Sequence, residues 1–237
     1  MRFAPFFAFA GLALAAAAGV DPAAAGTLTI NPVLVEIGAG QRSGAVTVTN
    51  VEDAPITIRA YALSWRQEDG ADRYEETAEM IVSPPVFTIS AQSAQVVRIG
   101  PRTPGAEARP YRLIVEEVPE ATPGAGIRVA LRLNLPVYAR MGPGSPADLS
   151  WRATRGADGI WSIEARNRGA GWVRADTASA RAATGLGFDD GFAFGTILPG
   201  SMRRWTVGAN PRIEDAARFR ALQAERDAAA SAPLRAR

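Results

Sequence analysis

The chemistry open to this chain is limited by the residues it lacks. Its 237 residues include no cysteine and no histidine. Ser-His-Asp and Cys-His nucleophiles, the usual zinc and copper ligand sets and thiol redox chemistry are therefore excluded. Carboxylate, Tyr, Ser and Arg chemistry remain. The acids to consider are Asp176 and the pair Asp189-Asp190. Neither has the context of a metal site or of paired glycosidase carboxylates, and both read as solvated loop residues. No catalytic residue, no metal and no cofactor are expected, and the chain reads as a binding protein rather than an enzyme. All 26 basic residues are arginine, set among 24 acids for a net charge of +2. They are dispersed rather than gathered into a stripe that tracks phosphates, so no nucleic-acid partner is expected.

One stretch has a pattern suited to recognition. Ile127, Val129, Leu131, Leu133 and Leu135 alternate with Arg128, Ala130, Arg132 and Asn134. This is the period of a strand with one apolar face. From the pattern alone, these five side chains can simply fill their own core. Pro136 follows them; proline lacks the N–H that a central strand donates and is confined to edges, strand starts or bulges, so the run does not read as a central strand.

The elements around this strand follow from the same alternation. Strand-like runs extend over Leu28 to Ile37, Ala45 to Thr49, Ile56 to Trp65, Val86 to Ile89, Gln95 to Ile99, Tyr111 to Val118 and Ile127 to Val137. Gly- and Pro-rich turns separate them, and no βαβ rhythm appears. Seven short strands over residues 27–141 is the count of an immunoglobulin-like sandwich. Gly142-Pro-Gly-Ser-Pro146 marks a domain boundary. Beyond it Leu149 to Ala153, Ile160 to Ala165, Gly171 to Ala175 and Arg203 to Val207 predict a second, smaller β domain. From Ile213 to about Ala230 the composition shifts to Ala, Arg, Glu and Gln, as in a helical or frayed tail. The five tryptophans are dispersed and read as core residues of the two sandwiches, and Ser83-Pro84-Pro85 admits a cis peptide bond. The expected class is all-β: two immunoglobulin-like β-sandwich domains, 26–141 and 142–237, with a short helical or frayed C-terminal tail.

The first 25 residues read as an export signal. Arg2 is a minimal positive region, Phe3 to Val20 is apolar and Ala-rich, and Ala23-Ala24-Ala25 supplies a small-residue cleavage site before Gly26. The rival is a membrane anchor. Pro5, the dominance of Ala over Leu and the cleavage site favour removal, giving a mature periplasmic chain with no stable membrane insertion.

Three pieces in order carry a family resemblance. They are Asn31-Pro-Val-Leu-Val-Glu36 with Ala45-Val-Thr-Val-Thr-Asn50, then Val82-Ser-Pro-Pro-Val-Phe87 with Gln95-Val-Val-Arg-Ile-Gly100, then Tyr111-Arg-Leu-Ile-Val-Glu-Glu-Val-Pro119 with Ile127 to Val137. Together they resemble the PapD-like periplasmic chaperones of the chaperone–usher pathway, which fold and deliver pilus subunits. The second domain matches loosely, through Leu198-Pro-Gly200 before a strand. The resemblance implies donor-strand complementation, in which the chaperone lends an edge strand to a subunit that lacks one. Ile127, Val129, Leu131, Leu133 and Leu135 would form that strand, and the implied partners are pilus or fimbrial subunits and an outer-membrane usher. A periplasmic or surface adhesion module of the same fold, without chaperone activity, is the competing reading.

The sequence departs from the best-known members. They hold the subunit's C-terminal carboxylate with an Arg on the first strand and a Lys on the donor strand. Here the corresponding places are the Asn31 to Leu34 region and Pro136. This pattern is closer to the archaic branch, and the short connection from Val118 to Ile127 and the absent cysteine pair argue against the long-loop branch. A carboxylate anchor still needs a cation, and the Arg fork suits both oxygens. Arg112, which interrupts the apolar run Tyr111 to Val115, is the first candidate, with an outward-facing strand residue as the alternative. Arg140 is the second, with an interdomain ion pair as its alternative.

Overall fold

The computed structural model describes residues 28–103, 105, 107–119, 130–144, 148–189, 192–221 and 224. The expected export signal, and Ile127 and Val129 of the alternating strand, lie outside the described residues.

The first domain is built from β1 (Leu28–Asn31), β2 (Val35–Ile37), β3 (Gly44–Asn50), β4 (Ile56–Glu68), β5 (Ala71–Glu76), β6 (Met80–Ser83), β7 (Val86–Ile89), β8 (Ala94–Pro101), β9 (Arg109–Glu117) and β10 (Arg132–Ala139). They form two facing sheets. One runs β1-β3-β8-β6; the other runs β2-β10-β9-β4-β5, with β7 also pairing β4. The first expected strand is split in two. Pro32 cannot donate a ladder bond, and the chain crosses there from one sheet (β1) to the other (β2). A similar crossing joins β6 to β7 through Pro84 and Pro85, and the peptide bonds before Pro32 and Pro84 are cis.

Alternation drives the packing. Val46, Val48, Val97 and Ile99 from one sheet meet Ile58, Ala60, Leu113, Val115, Leu135 and Val137 from the other in a closed apolar core. Each of the Val, Leu and Ile side chains among them contributes about 1.5–3 kcal/mol through removal from water. Strands β5 and β6 were not legible in the sequence. β5 reads Ala-Asp-Arg-Tyr-Glu-Glu and is exposed along most of its length, so no apolar period marks it. Nor does a stretch as short as β6, Met-Ile-Val-Ser, carry a readable period.

The second domain holds β11 (Leu149–Arg155), β12 (Trp161–Asn167), β13 (Val173–Ala175), α1 (Thr177–Thr184), β14 (Gly195–Ile197) and β15 (Met202–Gly208). A sheet β11-β12-β15 and a pair β13-β14 enclose Ile163, Ala165, Phe188, Phe194 and Ile197. Trp151, Trp161 and Trp205 pack against this core. The helix α1 has no counterpart among the strands expected from the sequence. Asp176 is its N-cap, accepting from Ser179 N at 2.7 Å while the Ser179 hydroxyl accepts from Asp176 N at 3.3 Å. Those backbone and hydroxyl donors hold the Asp176 carboxyl below its usual range. Residues 216–221 are helical, as the tail's composition predicts.

Both sandwiches use the same corner. Asn50 ends β3 and Asn167 ends β12, and both are fully buried. Asn50 Nδ2 donates to the carbonyls of Ala54, Ile89 and Ser90; Asn167 Nδ2 donates to those of Gly171 and Ile197. Each side-chain oxygen accepts from the backbone two residues on. Main-chain carbonyls that would otherwise be buried without a partner are thereby satisfied.

Long β4 outruns its neighbour β9 and ends in a hairpin with β5 that reaches the second domain. Asp69 and Gly70 turn the hairpin at positive φ (52° and 80°), as a two-residue connection requires. The Gly70 carbonyl accepts from Arg204 N at 3.1 Å, and a Cβ at Gly70 would stand 3.0 Å from that of Arg204.

Candidate functional site

The site starts from an unpaired edge. β10 pairs with β9 along its whole length, from Arg132↔Glu116 to Ala139↔Arg109. On its other side β2 pairs with it, in parallel, only over Val137, Tyr138 and Ala139. The direction of the free groups follows from two bonds. Arg140 N donates to Ile37 O on the β2 side, and the Leu131 carbonyl accepts from Glu117 N on the β9 side. Backbone groups alternate sides along a strand. Even-numbered residues therefore face the open edge. Arg132 and Asn134 each present an N–H and a C=O there, and Pro136 presents a C=O alone. Among the described residues no strand lies beside them.

The odd-numbered side chains point inward. Leu135 is 4% exposed and belongs to the first domain's own core, with Val137 and Ala139. Leu133 is half-buried and packs against that core, and Leu131 is half-buried at the strand's start. The five alternating residues thus divide: Leu131 and Leu133 lie where, among the described residues, β9 is the one neighbouring strand, Leu135 is interior, and Ile127 and Val129 are not described.

Arg112 lies on β9 directly across from Pro136 and on the opposite face from the core. Its guanidinium sits 3.7 Å above the ring centre of Trp65 and 5.5 Å from that of Tyr74. Cation–π contact holds a charge without neutralising it. Among the described residues no carboxylate pairs with Arg112, and its Nε is buried without a hydrogen-bond partner. Arg140 follows β10 with φ at 57°; its Nε is likewise buried without a partner, and it forms no ion pair among the described residues. Among the described residues the ion pair between the domains is Arg203 to Asp72.

The two arginines border the seam between the domains. Trp65, Tyr138 and Leu198 form a small core there with Leu34, Met141 and Trp172 around it. Tyr138 stacks on Trp172 at 4.4 Å with the planes 7° apart, and its hydroxyl donates to Thr196 Oγ1 at 3.0 Å. Burial raises the pKa of Tyr138, and likewise that of Tyr74, keeping both phenols protonated. Gln67 bridges to the Thr196 carbonyl (2.8 Å) and the Leu198 N–H (2.9 Å). Trp65 Nε1 donates to Asp72, whose other oxygen takes Arg203. Trp65 and Trp172, expected inside the sandwiches, lie at this seam. Four buried side-chain nitrogens lack a partner among the described residues, on Arg112, Arg140, Trp172 and Arg203. All four residues border the seam, and all four atoms are donors.

Among the described residues no cluster of three or more acids could hold a metal ion, and no helix is long and apolar enough to cross a membrane.

Several solved structures share the fold. A chain of the CsuC–CsuE chaperone–tip adhesion subunit pre-assembly complex, from the archaic chaperone–usher Csu pili of Acinetobacter baumannii, aligns with a TM-score of 0.59 at 22% identity, covering 79% of this chain and 96% of that one. The E. coli chaperone DraB aligns with a TM-score of 0.52 at 17% identity, over 79% and 94%. A chain of the Salmonella enterica SafA pilin–SafB chaperone complex gives 0.51 at 16% identity, over 80% and 93%. No curated protein sequence matches significantly. Residues 27–141 match the family model described as pili and flagellar-assembly chaperone, PapD N-terminal domain. Over those residues the chain carries the PapD N-terminal domain of the pili and flagellar-assembly chaperones.

Proposed function

We propose that this protein is an exported periplasmic chaperone that stabilises a pilus or fimbrial subunit by lending it strand β10 and passes it to an outer-membrane usher. The domains would divide at Met141 and Gly142. The observation that carries the reading is the open edge at Arg132, Asn134 and Pro136. An incomplete sandwich can add its own strand there, using main-chain bonds for affinity and the groove around Leu131 and Leu133 for fit. In the complexes of similar fold, a chaperone is bound to a tip adhesion subunit or to a pilin.

The edge also supports a direction. A strand laid beside residues 132–136 runs into the start of β2 at Val35, which already occupies the same edge. An added strand therefore has to end there, so a chain terminus suits the place. A cation without a carboxylate partner among the described residues, Arg112, stands across from Pro136. A C-terminal carboxylate, brought by a strand parallel to β10, is the terminus that Arg112 can hold with both oxygens. The anchor has moved one strand over, from the donor strand, where Pro136 stands, to its neighbour. Arg140 is the second cation near the seam.

The test is Asn134→Pro in the full chain co-expressed with a pilin subunit from the same genome. The Asn134 N–H faces the open edge, so its loss spares the β9 ladder. Subunit capture is expected to disappear while the free protein stays folded. Undiminished capture by a folded Asn134→Pro protein would sink the edge-pairing reading.

A further inference from the structure

The front half of β10 presents a physical problem. From Arg132 to Pro136 one edge has no neighbour among the described residues, where the strand is held by β9 alone. Such a strand frays and slips, and a slip of one residue turns Leu131 and Leu133 to the other face. A charged row crosses the sheet at this point. Arg132, Glu116 and Arg59 are direct cross-strand neighbours on β10, β9 and β4.

Glu116 is the hub of that row. Its carboxylate takes Arg59 Nε at 2.7 Å on one oxygen; on the other it faces Arg132 Nε at 3.4 Å and accepts from Tyr61 OH at 3.2 Å. Arg132 Nη2 donates to the same Tyr61 hydroxyl at 3.0 Å, and Arg59 lies over the Tyr61 ring at 5.1 Å. The Glu116 side chain is 16% exposed, whereas both arginines are more than half exposed. Arg132 therefore reaches inward, across its own sheet, on the face opposite Leu131 and Leu133. A one-residue slip would place it across from Val115 or Glu117, whose side chains lie on the other face.

We infer that Glu116 is a positioning residue for the donor strand: acting through Arg132 and Tyr61, it fixes the register in which Leu131 and Leu133 are offered to a subunit, without touching the subunit itself. The inference rests on the donor-strand reading.

The experiment is amide hydrogen exchange on the mature full-length protein, beside capture of the co-expressed pilin subunit, for Glu116→Ala, Glu116→Gln, Arg132→Ala and the Glu116→Ala/Arg132→Ala double variant. The Leu133 and Leu135 amides face β9 and report on the strand; Val48 and Val97, in the other sheet, are controls. Glu116→Ala should speed exchange at Leu133 and Leu135 about threefold to tenfold, the scale of a small ion-pair network, and weaken capture by a similar factor. The controls should not move, and Glu116→Gln should fall between wild type and Glu116→Ala. The double variant should be no worse than either single one, because both remove the same clamp. Unchanged exchange at Leu133 and Leu135 would overturn the inference. So would additive losses of capture, which would mean that Arg132 contacts the subunit directly, and so would faster exchange with capture intact. Leu131→Glu separates the two readings: if capture survives that substitution as well, the fault lies with the donor strand and not with the clamp.

Discussion

Leu131 and Leu135 are the same residue type on the same face of one strand, about 13 Å apart at ~3.3 Å per residue. They are expected to respond to substitution in opposite ways. Leu135 is 4% exposed and packs in the first domain's core. Leu135→Ala removes the equivalent of three methylenes, about 2.4 kcal/mol of transfer energy at ~0.8 kcal/mol each, and the residual cavity takes the cost into the range of about 2–5 kcal/mol. A loss of about 2.4 kcal/mol lowers the melting temperature by roughly 5–10 °C in a chain of this size. Leu131 is half-buried beside an open edge, so in Leu131→Glu the carboxylate can turn to water and the free protein should lose no more than about 1 kcal/mol. Bound to a subunit the order reverses. Leu131→Glu forfeits about 1.5–3 kcal/mol of apolar burial and places a charge in an apolar groove, so affinity should fall by at least about tenfold to a hundredfold. The assay is thermal unfolding of each free variant beside quantitative capture of the subunit. If Leu131→Glu melts as low as Leu135→Ala, Leu131 is a core residue and the argument from the open edge is wrong.

Two further outcomes are expected. Arg112→Ala should leave the protein folded, at a cost of about 0.5–2 kcal/mol for the lost contact with Trp65, and should abolish capture; Arg112→Lys should restore it in part, because a single ammonium cannot grip both carboxylate oxygens. Intact capture by Arg112→Ala, measured by co-purification, would move the anchor to Arg140. The Asp176 cap should contribute stability that is full above the ordinary carboxyl value of 3.8 and is lost as pH falls through the lower folded-state value. Asp176→Ala should cost about 0.5–1 kcal/mol at neutral pH, the lower part of the range for an exposed cap, and should remove that acid dependence in denaturant titrations at pH 7 and pH 2.5.

Much of the first sandwich was legible because strands such as Ala45 to Thr49 bury one face and alternate, while Tyr111 to Val115 reads as an apolar run broken by Arg112. β5 was not, because a strand exposed on both faces has no reason to alternate. The helix α1 carried a readable cue in Asp176 followed three residues later by Ser179, but its short Ala-rich body sits among strands and lacks a clear apolar stripe. The site was half legible. Alternation and Pro136 placed an edge strand, yet only the tertiary arrangement separates Leu131 from Leu135, since the difference is where β2 begins. Arg112 could be read as a cation within an apolar run. Its platform could not, because Trp65 comes from β4 and Tyr74 from the unrecognised β5. Glu116 escaped notice because its importance depends on having Arg59 and Arg132 as cross-strand neighbours, 57 and 16 positions away.

The seam between the domains makes the two sandwiches poor candidates for separate expression. Severed after Met141, the first domain would lay bare one continuous aromatic surface of Trp65 and Tyr138. It would also leave Gln67 and Asp72 without Thr196, Leu198 and Arg203. An exposed patch of that kind invites self-association. The second domain therefore serves as a lid on hydrophobic surface that the first cannot cover alone. A truncated fragment is expected to aggregate, whereas the whole chain should melt in one cooperative step.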